Sequence, residues 1–555
     1  MRRRDFVKGL VAVPLAANSH FISAAVSTAP ENPIFDVRIP TGIDFLHQNS
    51  PTRNKYLIET MGGGVALLDY NDDGLLDIFF VNSGYLKPSM PMPNDFKRNL
   101  PKYWNRLYRQ NRDGSFTDVT EQAGLATIGN GNYGMGVAVG DYDNDGYPDI
   151  YVTNYGKNVL YRNNRDGTFT DVTQKAGVEA GGWSVSAGFF DYDNDGHLDL
   201  FVTRYMEWDT KINRSCGGKW NTYCPPGVFP AITNILYHNN GDGTFTDVSR
   251  QSGIAAKKAR SLGVAFNDYD GDGFADIFVA NDGMQESLFH NNRNGTFTER
   301  ALEAGVALSD DGSPYAGMGV DFRDYDNDGR PDLIVTNLAK QVYALYHNDG
   351  NGYFSYRSLQ SGIAALSAPN SGWGVGFVDF NNDGWKDIFV AQSHVMDNVE
   401  LINPTMHYKQ PPFVALNHNG RFQLANPGTS TPVAGRGAAF GDLNNDGKMD
   451  VVVNVLGGRP EIFYNRTDAG NWITLTLVGT RSNRDGIGAR VVVNGQTQNT
   501  TTAGSYCSAS DKRVHFGLAA ATSADIDIYW PSGIHQSLKG VKSNQFLEVR
   551  EAERL

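Results

Sequence analysis

One nine-residue pattern, D-x-[DN]-x-D-G-x-x-D, occurs seven times in this chain, and no other feature restricts its fold as strongly. It begins at Asp69 (DYNDDGLLD), Asp141 (DYDNDGYPD), Asp191 (DYDNDGHLD), Asp268 (DYDGDGFAD), Asp324 (DYDNDGRPD), Asp379 (DFNNDGWKD) and Asp442 (DLNNDGKMD). A unit repeated at this spacing points to stacked or radially arranged copies of one supersecondary element.

The chemistry of the pattern is that of a cage for a hard divalent ion, because calcium takes six to eight oxygen ligands in tolerant geometry. Positions one, three, five and nine supply the expected ligands. They are Asp69, Asn71, Asp73 and Asp77 in the first loop, Asp141, Asp143, Asp145 and Asp149 in the second, and Asp191, Asp193, Asp195 and Asp199 in the third. Loops four and five offer Asp268, Asp270, Asp272 and Asp276, then Asp324, Asp326, Asp328 and Asp332. Loops six and seven offer Asp379, Asn381, Asp383 and Asp387, then Asp442, Asn444, Asp446 and Asp450. Up to seven Ca²⁺ sites are thus expected. The glycine at position six permits the positive φ that wraps the chain round an ion, and position seven can add its carbonyl. An Asx-type turn without metal is the competing reading, but three or four carboxylates within nine residues repel one another until a cation joins them. Asn71, Asn381 and Asn444 each remove a charge and predict weaker sites. An EF-hand loop closes with glutamate at position twelve between helices, whereas here an apolar strand follows at once, as in DIYVTN and DLFVTR.

Counting back from the first Asp of each loop, the seventh and fifth positions are Gly or Ser in all seven copies, for example Gly134 with Gly136 and Ser184 with Ser186. Between them stand larger apolar residues such as Met135, Val137 and Val139, giving the period of two expected of a strand. A strand with one crowded face suits the innermost position of a propeller blade. Asp321 breaks the pattern and is expected near the channel. Segments such as LYRNNRDGTFTDVT from Leu160 and LYHNNGDGTFTDVS from Leu236 read as outer hairpins. The seventh unit lacks a final strand, and FDVRIPTGIDF from Phe35 is expected to supply it. With 62 Gly, 12% aromatic and only 20% charged residues, the expectation is an all-β chain: a seven-bladed β-propeller over 35–466 and a small β-sandwich or barrel-like domain over 471–551.

These repeats resemble the FG-GAP and VCBS repeats of integrin α-chain propellers and many bacterial surface proteins. NWITLTLVGTRSNRDGIGARVVV from Asn471, HFGL at His515 and YWPSG at Tyr529 resemble the ASPIC/UnbV domain that accompanies such propellers in the cartilage acidic protein 1 family. The resemblance implies calcium binding and extracellular placement, and says little about ligand.

MRRRDFVKGLVAVPLAA resembles a twin-arginine export signal, with Arg3 and Arg4 in the twin positions and cleavage expected near Ala24 and Ala25, so residues 1–25 are assigned to the leader. Its apolar stretch is shorter than the roughly 20 residues a spanning helix needs, and no transmembrane segment is expected after cleavage. The destination is periplasmic, secreted or cell-surface. Cys216 and Cys224 are expected to pair in an oxidising compartment, and Cys507 stands alone. The formal charge of −13 becomes −16 when the leader's four basic and one acidic residues are lost, and seven Ca²⁺ would return it to −2. The absence of a basic stripe with interleaved aromatics argues against a nucleic-acid partner.

Two functions remain open beside a purely structural role, in which each calcium fastens a blade and no specific small ligand binds. The first is a binding or adhesion module for a glycan or protein partner, with a candidate ligand face at Trp183, Arg260, Tyr315, Trp373 and Arg436 (Tyr133 is equivalent) and in the insertions near 85–106, 205–232 and 395–413. The second is a calcium-dependent extracytoplasmic enzyme acting on polysaccharide through His394 or His407, although no catalytic constellation is recognised. Arg484, Asp485 and Arg490 form a further candidate cluster, with a solvated turn as the alternative.

Overall fold

A computed structural model describes residues 32–84, 100–126, 133–429 and 431–553. The expected leader, 1–25, and most of the 85–106 insertion lie outside the described residues.

Seven antiparallel sheets follow one another along the chain, each with four strands in a row, and the fourth carries a short fifth strand, Tyr315–Ala316, paired to its second. The second is representative: Tyr133–Gly140, Asp149–Tyr155, Val159–Asn163 and Phe169–Asp171 pair in sequence order. Its first two strands are joined by the acidic loop and its last two by a Gly-containing turn. Both of these strands are buried along their whole length, because the sheet is covered on both faces by its neighbours. This explains why they are written as nearly continuous apolar runs. The seventh sheet is completed from the far end of the chain, with Phe35–Arg38 antiparallel to Glu461–Asn465 and Phe35 opposite Asn465. The innermost strand of each sheet contacts that of the next, and that of the seventh, Gly435–Gly441, contacts Val65–Leu68 of the first. This is a β-propeller architecture.

The C-terminal region forms a three-stranded sheet (Val514–Ala519, Asn471–Val478, Gln545–Arg550) and a four-stranded sheet (Gln496–Asn499, Arg490–Val493, Ser523–Tyr529, His535–Lys542) around an apolar core that includes Ile473, Val491, Phe516 and Ile528. It rests on the face that carries the acidic loops: Arg484 donates its backbone N–H to Asn144 Oδ1 at 2.8 Å, and Gln496 lies beside Gly384.

From this region the segment Thr500–Asp511 enters the axis where the innermost strands converge. Ser505 and Val320 exchange backbone hydrogen bonds at 2.6 and 3.0 Å, Val137 donates to the Cys507 carbonyl at 3.0 Å, and Ala509 donates to the Val65 carbonyl at 3.0 Å. The Ser505 hydroxyl donates to Ala438 O at 2.7 Å and Thr502 to Val139 O at 2.7 Å. The segment thus bonds to sheets one, two, five and seven at once. Crowding explains the small residues of the inner strands: a Cβ on Gly64 would stand 2.2 Å from the Cys507 carbonyl oxygen of this segment, and one on Gly319 would stand 1.9 Å from the Trp373 carbonyl oxygen of the next sheet. Cys507 is fully buried, and burial pushes its thiol up to about 12.

Candidate metal centres

The seven acidic loops share one hydrogen-bond scheme. In every copy the first Asp accepts the N–H of the position-six glycine, at 2.6 to 3.0 Å. In every copy the last Asp accepts, at 2.7 or 2.8 Å, a backbone N–H from the third strand of its own sheet. In the second loop, Asp141 Oδ1 also accepts from Asp145 N at 2.9 Å, and Asp149 Oδ2 from Tyr142 N at 3.1 Å. Backbone donors on the outside orient the carboxylates inward, where oxygens of Asp141, Asp143 and Asp149 fall within 4.8 Å of one another. One ion with bonds of about 2.4 Å can therefore reach all three.

Two observations test whether a cation fits. First, several inward oxygens are buried without a hydrogen-bond partner: Asn71 Oδ1, Asp143 Oδ1, Asp193 Oδ1, Asp324 Oδ1 and Asp326 Oδ1. Buried polar atoms are otherwise almost always paired. Second, burial, reinforced by neighbouring carboxylates, raises Asp77 and Asp191 to about 8 and Asp141, Asp199, Asp332 and Asp442 to about 7. A divalent cation among them reverses that penalty. The residues therefore fit a hard divalent ion, held by the side chains of positions one, three, five and nine. The loops are unequal, however. In the sixth, Asn381 removes one charge and the buried Lys386 ammonium adds another cation, its pKa lowered by burial and partly restored by Asp379.

Two recurring asparagine positions escaped the sequence reading. The residue whose N–H caps the last Asp is Asn in six sheets and Gln110 in the first, and its side-chain amide donates to the second residue of a neighbouring loop. Asn163 reaches Tyr70 O at 2.8 Å, Asn465 reaches Phe380 O at 2.8 Å, and Gln110 reaches Leu443 O at 2.8 Å. The signal was the repeated N of LYRNN and LYHNN, which reads as turn chemistry alone. The other position is the fourth of each loop, always in left-handed backbone, from Asn445 at φ 53° to Gly271 at φ 76°. Five of these residues are asparagines that donate to the glycine carbonyl of the next loop: Asn144 to Gly196, Asn194 to Gly273, Asn327 to Gly384, Asn382 to Gly447 and Asn445 to Gly74, at 2.8 to 3.0 Å.

Asp72 and Gly271 lack that amide, and a cleft opens at each of the two junctions they face. One, of about 590 Å³, lies between loops one and two and the C-terminal region, lined by Asp72, Gly146, Arg484 and Arg513 among others. The other, also about 590 Å³, lies between loops four and five and the same region, lined by Gly271, Asp270, Arg323, Arg330, Arg490 and Tyr529 among others. There Arg490 lies 4.0 Å over the Tyr529 ring. The candidate cluster Arg484, Asp485 and Arg490 is therefore divided between two places. Asp485 is buried, paired with Lys512 and accepting Asp141 N at 2.8 Å.

The expected ligand face is corrected by burial. Trp183, Tyr315, Trp373 and Arg436 are 0 to 3% exposed, and Tyr133 is buried with them. Arg436 packs its guanidinium 4.1 Å over Trp373, whose ring meets Tyr506 at 5.0 Å. Arg260 is half-buried and holds its own sheet, donating to Asp282 O at 3.0 Å and Gly283 O at 3.2 Å. The physical reason is that the inserted loops roof this end of the propeller. Cys216 and Cys224 form a disulfide within one insertion. That insertion meets the 395–413 segment through Asn398 Nδ2, which donates to Trp220 O at 3.0 Å, and meets the N-terminal turn, where Tyr56 packs on Trp208. His394 is buried, lowered to about 4 by burial, and accepts the Met396 N–H at 3.0 Å; His407 is largely exposed, 4.0 Å from Glu400.

Comparison with known proteins agrees with this architecture. Cartilage acidic protein 1 of Mus musculus is 24% identical over 541 residues, covering 91% of this chain and 75% of that protein; the Homo sapiens protein is 23% identical over 544 residues, covering 91% and 73%. Among solved structures, an Agrocybe aegerita lectin that recognises non-reducing terminal N-acetylglucosamine aligns with TM-score 0.37 and 17% identity, over 65% of this chain and 79% of that one. A Bacillus licheniformis rhamnogalacturonan lyase aligns with TM-score 0.38 and 11% identity, over 79% and 76%. No helix among the described residues is long and apolar enough to cross a membrane. The FG-GAP-like repeat model matches 69–152, 141–202, 233–279, 268–335, 324–390 and 406–453, and the ASPIC and UnbV model matches 479–555. With more than half of its length matched by these repeats, the chain belongs to the FG-GAP-like repeat proteins and carries an ASPIC and UnbV domain at its C-terminal end.

Proposed function

We propose that this protein is an exported, calcium-loaded β-propeller that works as a binding module, and that it receives a glycan in the cleft between loops four and five and the C-terminal region. Export is supported by the twin-arginine-like leader and by the Cys216–Cys224 disulfide, a bond that persists in oxidising compartments. Calcium is supported by the seven inward-facing carboxylate sets.

The observation that carries the binding reading is the composition of the cleft. Arg490 is exposed and engages a ring. Arg323 and Arg330 reach the same space, as do the amide-bearing Gln498 and Asn499 and the acidic fourth loop. Guanidinium groups bind carboxylates bidentately, and a divalent ion in the fourth loop at the rim adds a site for sugar hydroxyl or carboxylate oxygens. A uronic-acid-containing glycan satisfies both.

A glycan array probed with the full-length protein in calcium and in EGTA tests this. Binding should require bound divalent metal, being lost in EGTA, and fall at least tenfold in Arg490→Ala. It should fall similarly in Gly271→Asn, which supplies the missing amide beside Gly329 at a position where a Cβ meets nothing within 4 Å. A protein partner captured by a surface that neither change touches would contradict the glycan assignment.

A further inference from the structure

The residue just before the capping Asn or Gln of each third strand stands beside the acidic loop of its own sheet, and it differs round the propeller in an ordered way. It is Arg109 and Arg162 in the first two sheets, His238, His290 and His347 in the next three, and Leu416 and Tyr464 in the last two. In the three histidine-bearing sheets the imidazole enters the cage with the same atom. His238 Nδ1 is 3.1 Å from Asp199 Oδ1 and 3.6 Å from Asp193 Oδ2. His290 Nδ1 is 3.3 Å from Asp276 and 3.4 Å from Asp270, and His347 Nδ1 is 3.2 Å from both Asp326 and Asp332. In each case the carboxylates approached are positions three and nine of the loop, the same pair that is expected to hold the ion.

An imidazolium paired with carboxylates is the plain alternative, and it accounts for His238, whose Nδ1 is hydrogen-bonded to Asp199. It accounts less well for the other two. His290 Nδ1 and His347 Nδ1 are buried and make no aligned hydrogen bond, although two carboxylates lie within reach of each. In loop five the position-one residue Asp324, only 3% exposed, also leaves Oδ1 without a partner. A nitrogen without an aligned hydrogen bond and a buried carboxylate oxygen without a partner, standing in one cage, are the two halves of a mixed coordination set. Where the neighbouring position needs only a fixed positive charge, sheets one and two use arginine.

Accepting that the loops are ion cages, we infer that loops three, four and five bind a borderline divalent transition ion of the manganese, cobalt or zinc class through His238, His290 and His347 together with the loop carboxylates, while the other loops keep an all-oxygen set suited to calcium. Imidazole nitrogen favours first-row transition ions, whereas calcium prefers oxygen. The propeller is thus divided into two kinds of metal site on adjacent sheets.

Manganese is the probe. Full-length protein stripped of metal is titrated with MnCl₂ and examined by electron spin-echo envelope modulation. Coupling to imidazole ¹⁴N is expected, and it should vanish in the triple variant His238→Gln, His290→Gln, His347→Gln, which still binds Mn²⁺ through its carboxylates. Zn²⁺ should bind the same variant at least tenfold more weakly at three sites, with calcium stoichiometry unchanged. If the triple variant does not fold, each single variant should lose about a third of the nitrogen modulation. Bound Mn²⁺ without nitrogen coupling, or coupling that survives the substitutions, overturns this inference and leaves the calcium cages standing. Failure of Mn²⁺ and Ca²⁺ alike to bind removes both.

Discussion

The two ends of the propeller are held together by opposite physics. At the loop end, the structure concentrates like charges: seven sets of carboxylates, the last Asp of each buried, are oriented by backbone N–H groups, so a counter-ion would stabilise them. At the other end the buried and half-buried charges are held within the protein, Arg436 over Trp373 and Lys55 against Asp397, and packing dominates. Tyr56, Trp183, Tyr205, Trp208, Trp373 and Tyr506 share one apolar cluster, roofed by a disulfide-bearing insertion. The loop end repeats in sequence because every sheet uses the same turn and the same carboxylate-to-backbone hydrogen bonds. The roofed end does not, because a single asymmetric cluster closes it. Ions should therefore govern one end and packing the other.

The largest test of this contrast is metal removal. An ion at about 1,000 times its dissociation constant stabilises the folded state by about 4 kcal/mol per site. Removing several should lower the melting temperature by on the order of 20 °C in EGTA, with Ca²⁺ restoring it better than Mg²⁺. A shift of only a degree or two would erase the distinction between the ends.

The pH dependence should next change sign with metal. In metal-free protein Asp77 and Asp191 titrate near 8 and Asp199 and Asp332 near 7, all above the unfolded value of 3.8. Their folded-state contribution is then fully present below pH 4 and is lost as pH rises through 7 to 8. Metal-free protein should melt higher at pH 5 than at pH 8. Calcium-loaded protein should do the reverse, because protons displace the ion. Parallel melting curves at the two pH values, with and without calcium, decide it, and equal slopes would contradict the cage.

At the packed end, Tyr506→Ala should cost about 3–5 kcal/mol by emptying a buried aromatic site, with the same loss in calcium and in EGTA by denaturant titration. The smallest effect distinguishes two junctions within the loop end. Asn327→Ala removes one stitch to Gly384 and should cost about 1 kcal/mol, whereas Asp72→Ala, at the same left-handed position of loop one, has no such stitch to lose.

Much of the loop end was legible because its chemistry is local: nine consecutive residues contain the ligands, the turn and the start of the next strand. The small residues of the inner strands were legible as crowding between converging sheets, but the share of that crowding due to Thr500–Asp511 was not, since the segment reaches the axis from hundreds of residues away and its TTTAGSYCSASD carries no periodicity. The ligand face was misplaced for a related reason. Trp183 and Trp373 sit where an open propeller would expose them, and only the insertions that converge above them make that position interior. Asn163 and its equivalents were visible as letters, yet their role is defined by the neighbouring sheet they bond to.

The central claim is that the acidic loops are cages for divalent ions, and native mass spectrometry of the full-length protein counts those ions directly. In millimolar calcium the account predicts a folded chain carrying up to seven tightly bound divalent ions, lost on chelation together with the high melting temperature. A folded chain that holds none under these conditions would contradict it.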